Sequence, residues 1–314
     1  MNSRRIFIKN SLLGTTALCL PTSSAFASAK LLGEKKPKIS LAQWSLHRAL
    51  QKGEIKAEDF AKITKDEFDI SAVEYVNQFY VKNATNQKFW GEMKSRADDV
   101  GVKSLLIMVD SEGDLGDLKD QARKTAVENH HKWIHAAKIL GCHSIRVNAF
   151  GKGSREELQA SLVDGLGQLS AYAAEQEIYV LIENHGLHTS DGKYITEIIK
   201  EVDNPYLGTL PDFGNWCLNA EWGSTMDNKC TEVYDHYEGV SDFLPYAQGV
   251  SAKSYNFDAN GNETLLSYSK LLQLVKDSGF KGYIGIEYEG SGLSEADGIR
   301  ATKALIEKVW NKLD

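Results

Sequence analysis

Cysteine is scarce in this 314-residue chain, which has Cys19, Cys142, Cys217 and Cys230. Cys19 falls in an N-terminal segment that does not belong to the fold. Three remaining thiols without regular spacing provide neither a disulfide framework nor a cysteine-rich zinc site. They read as buried or half-buried thiols, with a Cys217–Cys230 bridge open to a chain that reaches an oxidising compartment. Positive charge is also short: 36 Lys and Arg stand against 43 Asp and Glu, a net charge of −7. That leaves no basic footprint for nucleic acid. Beyond the first residues no apolar run is long enough to span a membrane. No glycine-rich phosphate cradle follows the first strand pattern, which weighs against a dinucleotide-binding sheet. Short-period repeats and low-complexity segments are missing too.

What is present begins with Ser3-Arg-Arg-Ile-Phe-Ile-Lys9, an apolar stretch from Leu12 to Leu20, and a small-residue exit at Ala25-Phe-Ala27. This is a twin-arginine export signal over residues 1–27, too short and too poorly flanked to be a membrane span. Leu18 precedes Cys19 where a lipid-attachment site needs a small residue, so no anchor is expected. The expected location is periplasmic, by a route that carries proteins already folded. Residues 28–38 form a Lys-rich connector, and 39–314 a single domain.

Over that domain strand and helix patterns alternate without a break in composition. Strand patterns run over Ile39–Trp44, Ala72–Asn77, Lys103–Val109, Ser144–Asn148, Ile178–Glu183, Gly208–Asp212, Gly249–Lys253 and Tyr283–Glu287. Helical periodicity lies between them, as over Leu118–Leu140 and Leu158–Glu177. Eight β–α units of this length predict an α/β fold, a closed parallel (β/α)8 TIM barrel; an open doubly wound sheet is the rival.

Three of the apolar runs end in an acid: Glu183 in Tyr179-Val-Leu-Ile-Glu-Asn-His-Gly186, Asp212 in Gly208-Thr-Leu-Pro-Asp-Phe-Gly-Asn-Trp216, and Glu287 in Tyr283-Ile-Gly-Ile-Glu-Tyr-Glu-Gly290. An apolar run ending in an acid reads as a buried strand that delivers a carboxylate to a loop. In a barrel such ends face one pocket. Three carboxylates gathered there repel one another unless a cation sits between them, which predicts one divalent metal, Mn, Mg, Zn or Co. The same rim receives Trp44, Glu74, Arg146, Asn148 and Lys253. Arg146 needs an acid partner, for which Glu74 and Glu183 are candidates. Trp44, Phe79, Tyr80, Trp216, Trp222 and Tyr255 offer apolar walls for a sugar ring.

These motifs resemble the sugar isomerase/epimerase family with the xylose isomerase-like barrel. The pieces that carry the resemblance are Ile182-Glu-Asn-His185, Leu210-Pro-Asp-Phe-Gly-Asn-Trp216 and Gly285-Ile-Glu-Tyr-Glu289. The resemblance implies Glu183, Asp212 and Glu287 as metal ligands, with Glu183 and Glu287 also the pair that removes and returns a proton. It also implies a fourth ligand from strand seven in a His-x-Lys-Asp pattern. This chain instead reads Ser251-Ala-Lys-Ser254, with Ser251 where the histidine is expected and Lys253 retained. His185 is then open as a ligand, a substrate contact or a partner that orients Glu183, and Lys253 as a catalytic group.

The function expected is a metal-dependent sugar isomerase or epimerase that transfers a proton next to a carbonyl through an enediolate. Catalysis would fall to Glu183, Glu287 and Lys253, and substrate contacts to Trp44, Glu74, Arg146, Asn148, His185 and Trp216. Two alternatives stay open: a lyase or hydratase acting on 3-keto sugars or glycosides, and a sugar-binding protein without catalysis. The partner is a small sugar or sugar derivative, with no nucleic acid and, after signal removal, no membrane; a homo-oligomer is compatible with the chain.

Overall fold

The computed structural model describes residues 36–226 and 229–313. The export signal, and the connector up to residue 35, lie outside the described residues. The eight strands are β1 (Ile39–Ala42), β2 (Ala72–Val76), β3 (Lys103–Val109), β4 (Ser144–Val147), β5 (Tyr179–Glu183), β6 (Leu207–Leu210), β7 (Val250–Ser254) and β8 (Ile284–Tyr288). All pair in parallel, in the order β6-β5-β4-β3-β2-β1-β8-β7. Single parallel bridges, Thr209 to Ala247 and Asp212 to Ser251, join the ends of that row. The expected (β/α)8 barrel is therefore present.

Strands such as β2, β7 and β8 are buried along their whole length, as parallel strands covered on both faces must be. Their outward residues meet the helices in the main core, where Leu41, Val73, Ile107, Ile145, Val180 and Ile286 are buried. Their inward residues recur every second position. Ala42, Val76, Leu106, Met108, Leu181 and Leu210 form a separate apolar plug inside the barrel.

The element ends differ from the sequence patterns for local reasons. β1 stops at Ala42 because the Gln43 side chain accepts a hydrogen bond from the Val76 amide at 3.0 Å, and Gln43–Leu46 turn as a 3-10 helix. β6 stops at Leu210 because Pro211 has no amide to donate. The helix Arg155–Glu175 starts three residues before Leu158, since Ser154 and Glu157 form a reciprocal capping box. Leu118 lies outside the helix Asp120–Leu140 and is exposed.

Two readings of side chains are corrected here. Cys217 and Cys230 are not free thiols but a disulfide, while Cys142 is the buried thiol expected. Trp216 is no sugar wall: it is fully buried against Phe243, Tyr234 and Gly239 on the outer side of the barrel. The segment Tyr234–Tyr237 leads into the helix His236–Phe243. Asp235 caps that helix and His236 bonds the Phe213 carbonyl at 2.9 Å. Among the described residues, no helix is long and apolar enough to cross a membrane.

Candidate active site

At the C-terminal mouth of the barrel, Glu183 ends β5, Asp212 follows β6 across Pro211, and Glu287 lies in β8. All three are buried, and one oxygen from each lies within 4.8 Å of the others. Asp212 is held at its turn by the Gly214 and Asn215 amides, which donate to Oδ1 at 2.7 and 2.9 Å. Ser251 projects from β7 between two of the acids, 2.5 Å from Asp212 Oδ2 and 3.0 Å from Glu287 Oε2. A hydroxyl carries one proton, so Ser251 donates to one carboxylate at a time, and the second contact is a hydrogen bond only when that carboxyl is protonated and donates to the Ser251 oxygen. Burial, first, and the neighbouring Glu287 push Asp212 up to about 7 despite the opposing Lys253. Burial also lifts Glu183 well above the usual carboxylate range.

Two cations face these acids. Lys253 lies 2.9 Å from Glu287, 2.9 Å from Glu289 and 4.0 Å from Asp212. Burial alone would depress its ammonium, but Glu287, Glu289 and Asp212 together carry it well above its ordinary value. Lys253 is therefore a buried positive charge held among three carboxylates. Arg146 bonds Asp110 at 2.5 Å and its Nε comes within 2.7 Å of Glu183 Oε2. That approach is not aligned as a hydrogen bond, so Glu183 Oε2 is a buried oxygen without a donor.

Asn148 does not face a ligand in the central cavity; it links Asp110 to His185. Its Nδ2 donates to Asp110 at 2.7 Å, so its Oδ1 must accept from His185 Nδ1 at 2.7 Å. This fixes the proton on Nδ1 and leaves Nε2 with a free lone pair. Burial, with Arg146 nearby, lowers His185 to about 3, so the ring is neutral. Asp110 in turn sits at about 2, because Arg146 and His185 outweigh its burial.

Trp44, Arg146, His185, Lys253 and Glu287 line one cavity of about 310 Å³. Trp44 also donates its indole N–H to Glu289. Glu74 is not among the lining residues. It lies within the barrel, bonded by Ser40 at 2.6 Å and packed on Gly285, with Oε2 unpartnered. Burial pushes Glu74 up to about 7. The sequence reading missed Asp110, Glu289, Gln78 and Ser224, all of which line the cavity. Asp110 ends the run Leu105–Val109 and so carries the same signature as the other acids. Glu289 sits two residues from Glu287, on the same face of its strand.

These donors fit a divalent metal. Asp110, Glu183, Asp212, Glu287 and Glu289 bring five carboxyl groups against the two cations Arg146 and Lys253, an excess of acid that a divalent cation would offset. Three carboxylate oxygens and a hydroxyl are a hard donor set of the kind that Mg²⁺ and Mn²⁺ prefer. Glu183 brings one oxygen within 4.8 Å of oxygens of Asp212 and Glu287, as ligands of a shared ion would stand.

A sequence model of the family described as "Xylose isomerase-like TIM barrel" matches residues 66–309. The human putative hydroxypyruvate isomerase is 24% identical over 176 residues, which is 51% of this chain and 58% of the human protein. The chain thus matches less than two thirds of that relative's length. The crystal structure of a 3-keto-D-glucoside 4-epimerase from E. coli is similar with a TM-score of 0.65 and 15% identity, over 87% of this chain and all of that one. A xylose isomerase-like TIM barrel protein from Mycobacterium smegmatis, solved in complex with magnesium, is similar with a TM-score of 0.63 and 15% identity, over 89% of this chain and 98% of the other. At such identities the structural likeness establishes the fold.

Proposed function

This chain belongs to the xylose isomerase-like TIM barrel family, and on that footing we propose that it is a sugar isomerase or epimerase working by proton transfer next to a carbonyl. The observation that carries the reading is the convergence of Glu183, Asp212 and Glu287 in one buried cluster beside a cavity sized for a small ligand. The names of the similar proteins, an isomerase and an epimerase of sugars or small hydroxy-ketones, support the same reading.

A divalent cation held by Glu183, Asp212 and Glu287 would polarise the carbonyl and the neighbouring hydroxyl. The chain's own residues supply the rest. Glu183 ends β5 and Glu287 lies in β8, strands that are not neighbours in the sheet, and in this reading one takes the proton and the other returns it. The fixed ammonium of Lys253 faces the negative charge that develops on an enediolate oxygen. His185, neutral and held by Asn148, presents Nε2 as an acceptor for a sugar hydroxyl. Trp44 covers the ring from the side, and Arg146 holds Glu183 in place.

Export to the periplasm by the twin-arginine route is part of this proposal. Its support is the Ser3–Lys9 signature together with the Cys217–Cys230 bridge, a bond that persists in an oxidising compartment.

The test is solvent deuterium uptake into a panel of free and 3-keto sugars, with and without Mg²⁺ or Mn²⁺. Uptake that needs the metal and leaves the carbon skeleton intact supports the proposal. Release of a substituent would identify an elimination instead. Absence of uptake across the panel, with sugar binding intact, would leave a binding protein.

A further inference from the structure

The central cavity has a neighbour. A second cavity of about 160 Å³ adjoins it, lined among others by Ser111, Asp114, Phe150 and Glu221. Trp222 lines both cavities. The partition between them is the pair already described, Asn148 on the side cavity and His185 on the central one.

Trp222 is held there against local preference. Its φ is +69°, a left-handed conformation that a tryptophan rarely adopts and that persists only when the surroundings impose it. The surroundings do so in three ways. Glu221 pairs with Gly186, next to His185. Gly186 and Gly223 pack so closely that a Cβ on Gly186 would stand 2.5 Å from the Gly223 nitrogen. The Cys217–Cys230 disulfide ties the segment at its base, and the Cys217 amide bonds the Gly223 carbonyl at 3.0 Å. The indole stands nearly perpendicular to His185 and Phe150, at ring distances of 5.1 and 5.8 Å. It is nevertheless 44% exposed, so part of a large apolar surface is fixed at the mouth of the site without a partner.

We infer that the side cavity is a second sugar-ring subsite with Trp222 as its platform, and that the ligand of this site is a two-ring glycoside rather than a free monosaccharide. The inference rests on the sugar reading for the first ring. A cavity of about 310 Å³ lies at the lower end of the range for small-molecule sites, and one ring fills it. The side cavity adds the features a second ring requires. The indole covers an apolar C–H face, while Asp114, Glu221 and Ser111 accept or exchange hydrogen bonds with its hydroxyls. The acids also exclude a phosphate or carboxylate in that position by like-charge repulsion.

Calorimetric titration of the protein with glucose, cellobiose, maltose and trehalose tests the subsite without requiring turnover. At least one disaccharide should bind about tenfold more tightly than glucose. Trp222→Ala should weaken that disaccharide about tenfold more than it weakens glucose, whereas Trp222→Phe should keep most of the preference. If no disaccharide outbinds glucose, or if Trp222→Ala weakens glucose and disaccharide by the same factor, the second subsite does not exist. Deuterium uptake separates this outcome from failure of the isomerase reading. A Trp222-dependent disaccharide preference without any uptake keeps the subsite and removes only the proposed chemistry.

Discussion

Ser251 donates its hydroxyl to Asp212 at 2.5 Å across the seam where β7 meets the chain beyond β6. The same two residues pair through the backbone to close the barrel, with the Ser251 amide bonding Pro211 and the Phe213 amide bonding Ser251. The residue in the place of an expected metal histidine is thus bound into the closure of the fold and also touches two of the three clustered acids.

Removing that hydroxyl should weaken the site. Ser251→Ala is expected to lower Mg²⁺ or Mn²⁺ affinity by about tenfold, in the range for residues that orient ligands. Ser251→His, which adds an imidazole where the family pattern has one, should hold or tighten Mn²⁺ and Zn²⁺. Metal titration by calorimetry decides; weaker binding in a well-folded Ser251→His would show that the pocket is arranged around Lys253 rather than a metal.

Glu287→Gln and Glu183→Gln should each reduce turnover by about two to four orders of magnitude while binding of the sugar weakens far less. The double variant should be little worse than either single one, because groups acting as a unit are not additive. Near-normal deuterium uptake in both single variants would remove the proton-transfer assignment.

Lys253→Met leaves Glu287 and Glu289 without their cation. The loss should be about 3–5 kcal/mol, the range for breaking a buried pair, less whatever water recovers at the partly exposed Glu289. Saturating Mg²⁺ should return part of it by restoring positive charge. Urea unfolding with and without the ion measures both; an unchanged midpoint would mean the ammonium contributes nothing to holding the acids together.

Glu74 predicts a pH dependence. Its carboxyl sits at about 7 in the fold against 4.5 in an unfolded chain, so between those values the native state holds the extra proton. Stability from this group is present below about pH 4.5 and is lost as pH rises toward 7, a change of roughly 1–3 kcal/mol. Glu74→Gln should flatten that slope and leave the protein more stable at pH 8. Chemical unfolding of metal-free protein across this range provides the check, and an identical slope in the variant would contradict it.

The Cys217–Cys230 bridge closes a short loop, with a sequence separation of 13. Replacing both cysteines by serine should lower stability by about 2–3 kcal/mol. Reduction of the parent protein should shift its unfolding midpoint by the same amount, and a reductant-insensitive midpoint would argue that the bridge constrains little.

The barrel was legible because parallel strands covered on both sides must be apolar along their length, and eight such runs alternate with helical periodicity. Glu183, Asp212 and Glu287 stood out for the same reason: a charge that ends an apolar run is conspicuous. Asp110 carries that signature as well, yet sequence does not reveal that its partner is Arg146 on the next strand. Trp216 and Trp222 show the opposite limit. Both follow β6 and both are aromatic, but one is packed under a helix and the other stands at the mouth of the cavity. Hydrophobicity is a property of each residue and does not record which side of the chain a turn will present.

By itself, then, the sequence determined the alternating elements, the closed parallel sheet and the delivery of three acids to one rim, since these follow from local periodicity and the fixed handedness of strand–helix–strand units. Tertiary structure decided the partners: Lys253 among Glu287, Glu289 and Asp212, Asn148 between Asp110 and His185, and Cys217 with Cys230. Those pairings depend on ångström distances between strands far apart in the chain. The charge a buried group carries is set by which neighbours lie within a few ångströms, and that is known only when the barrel has closed.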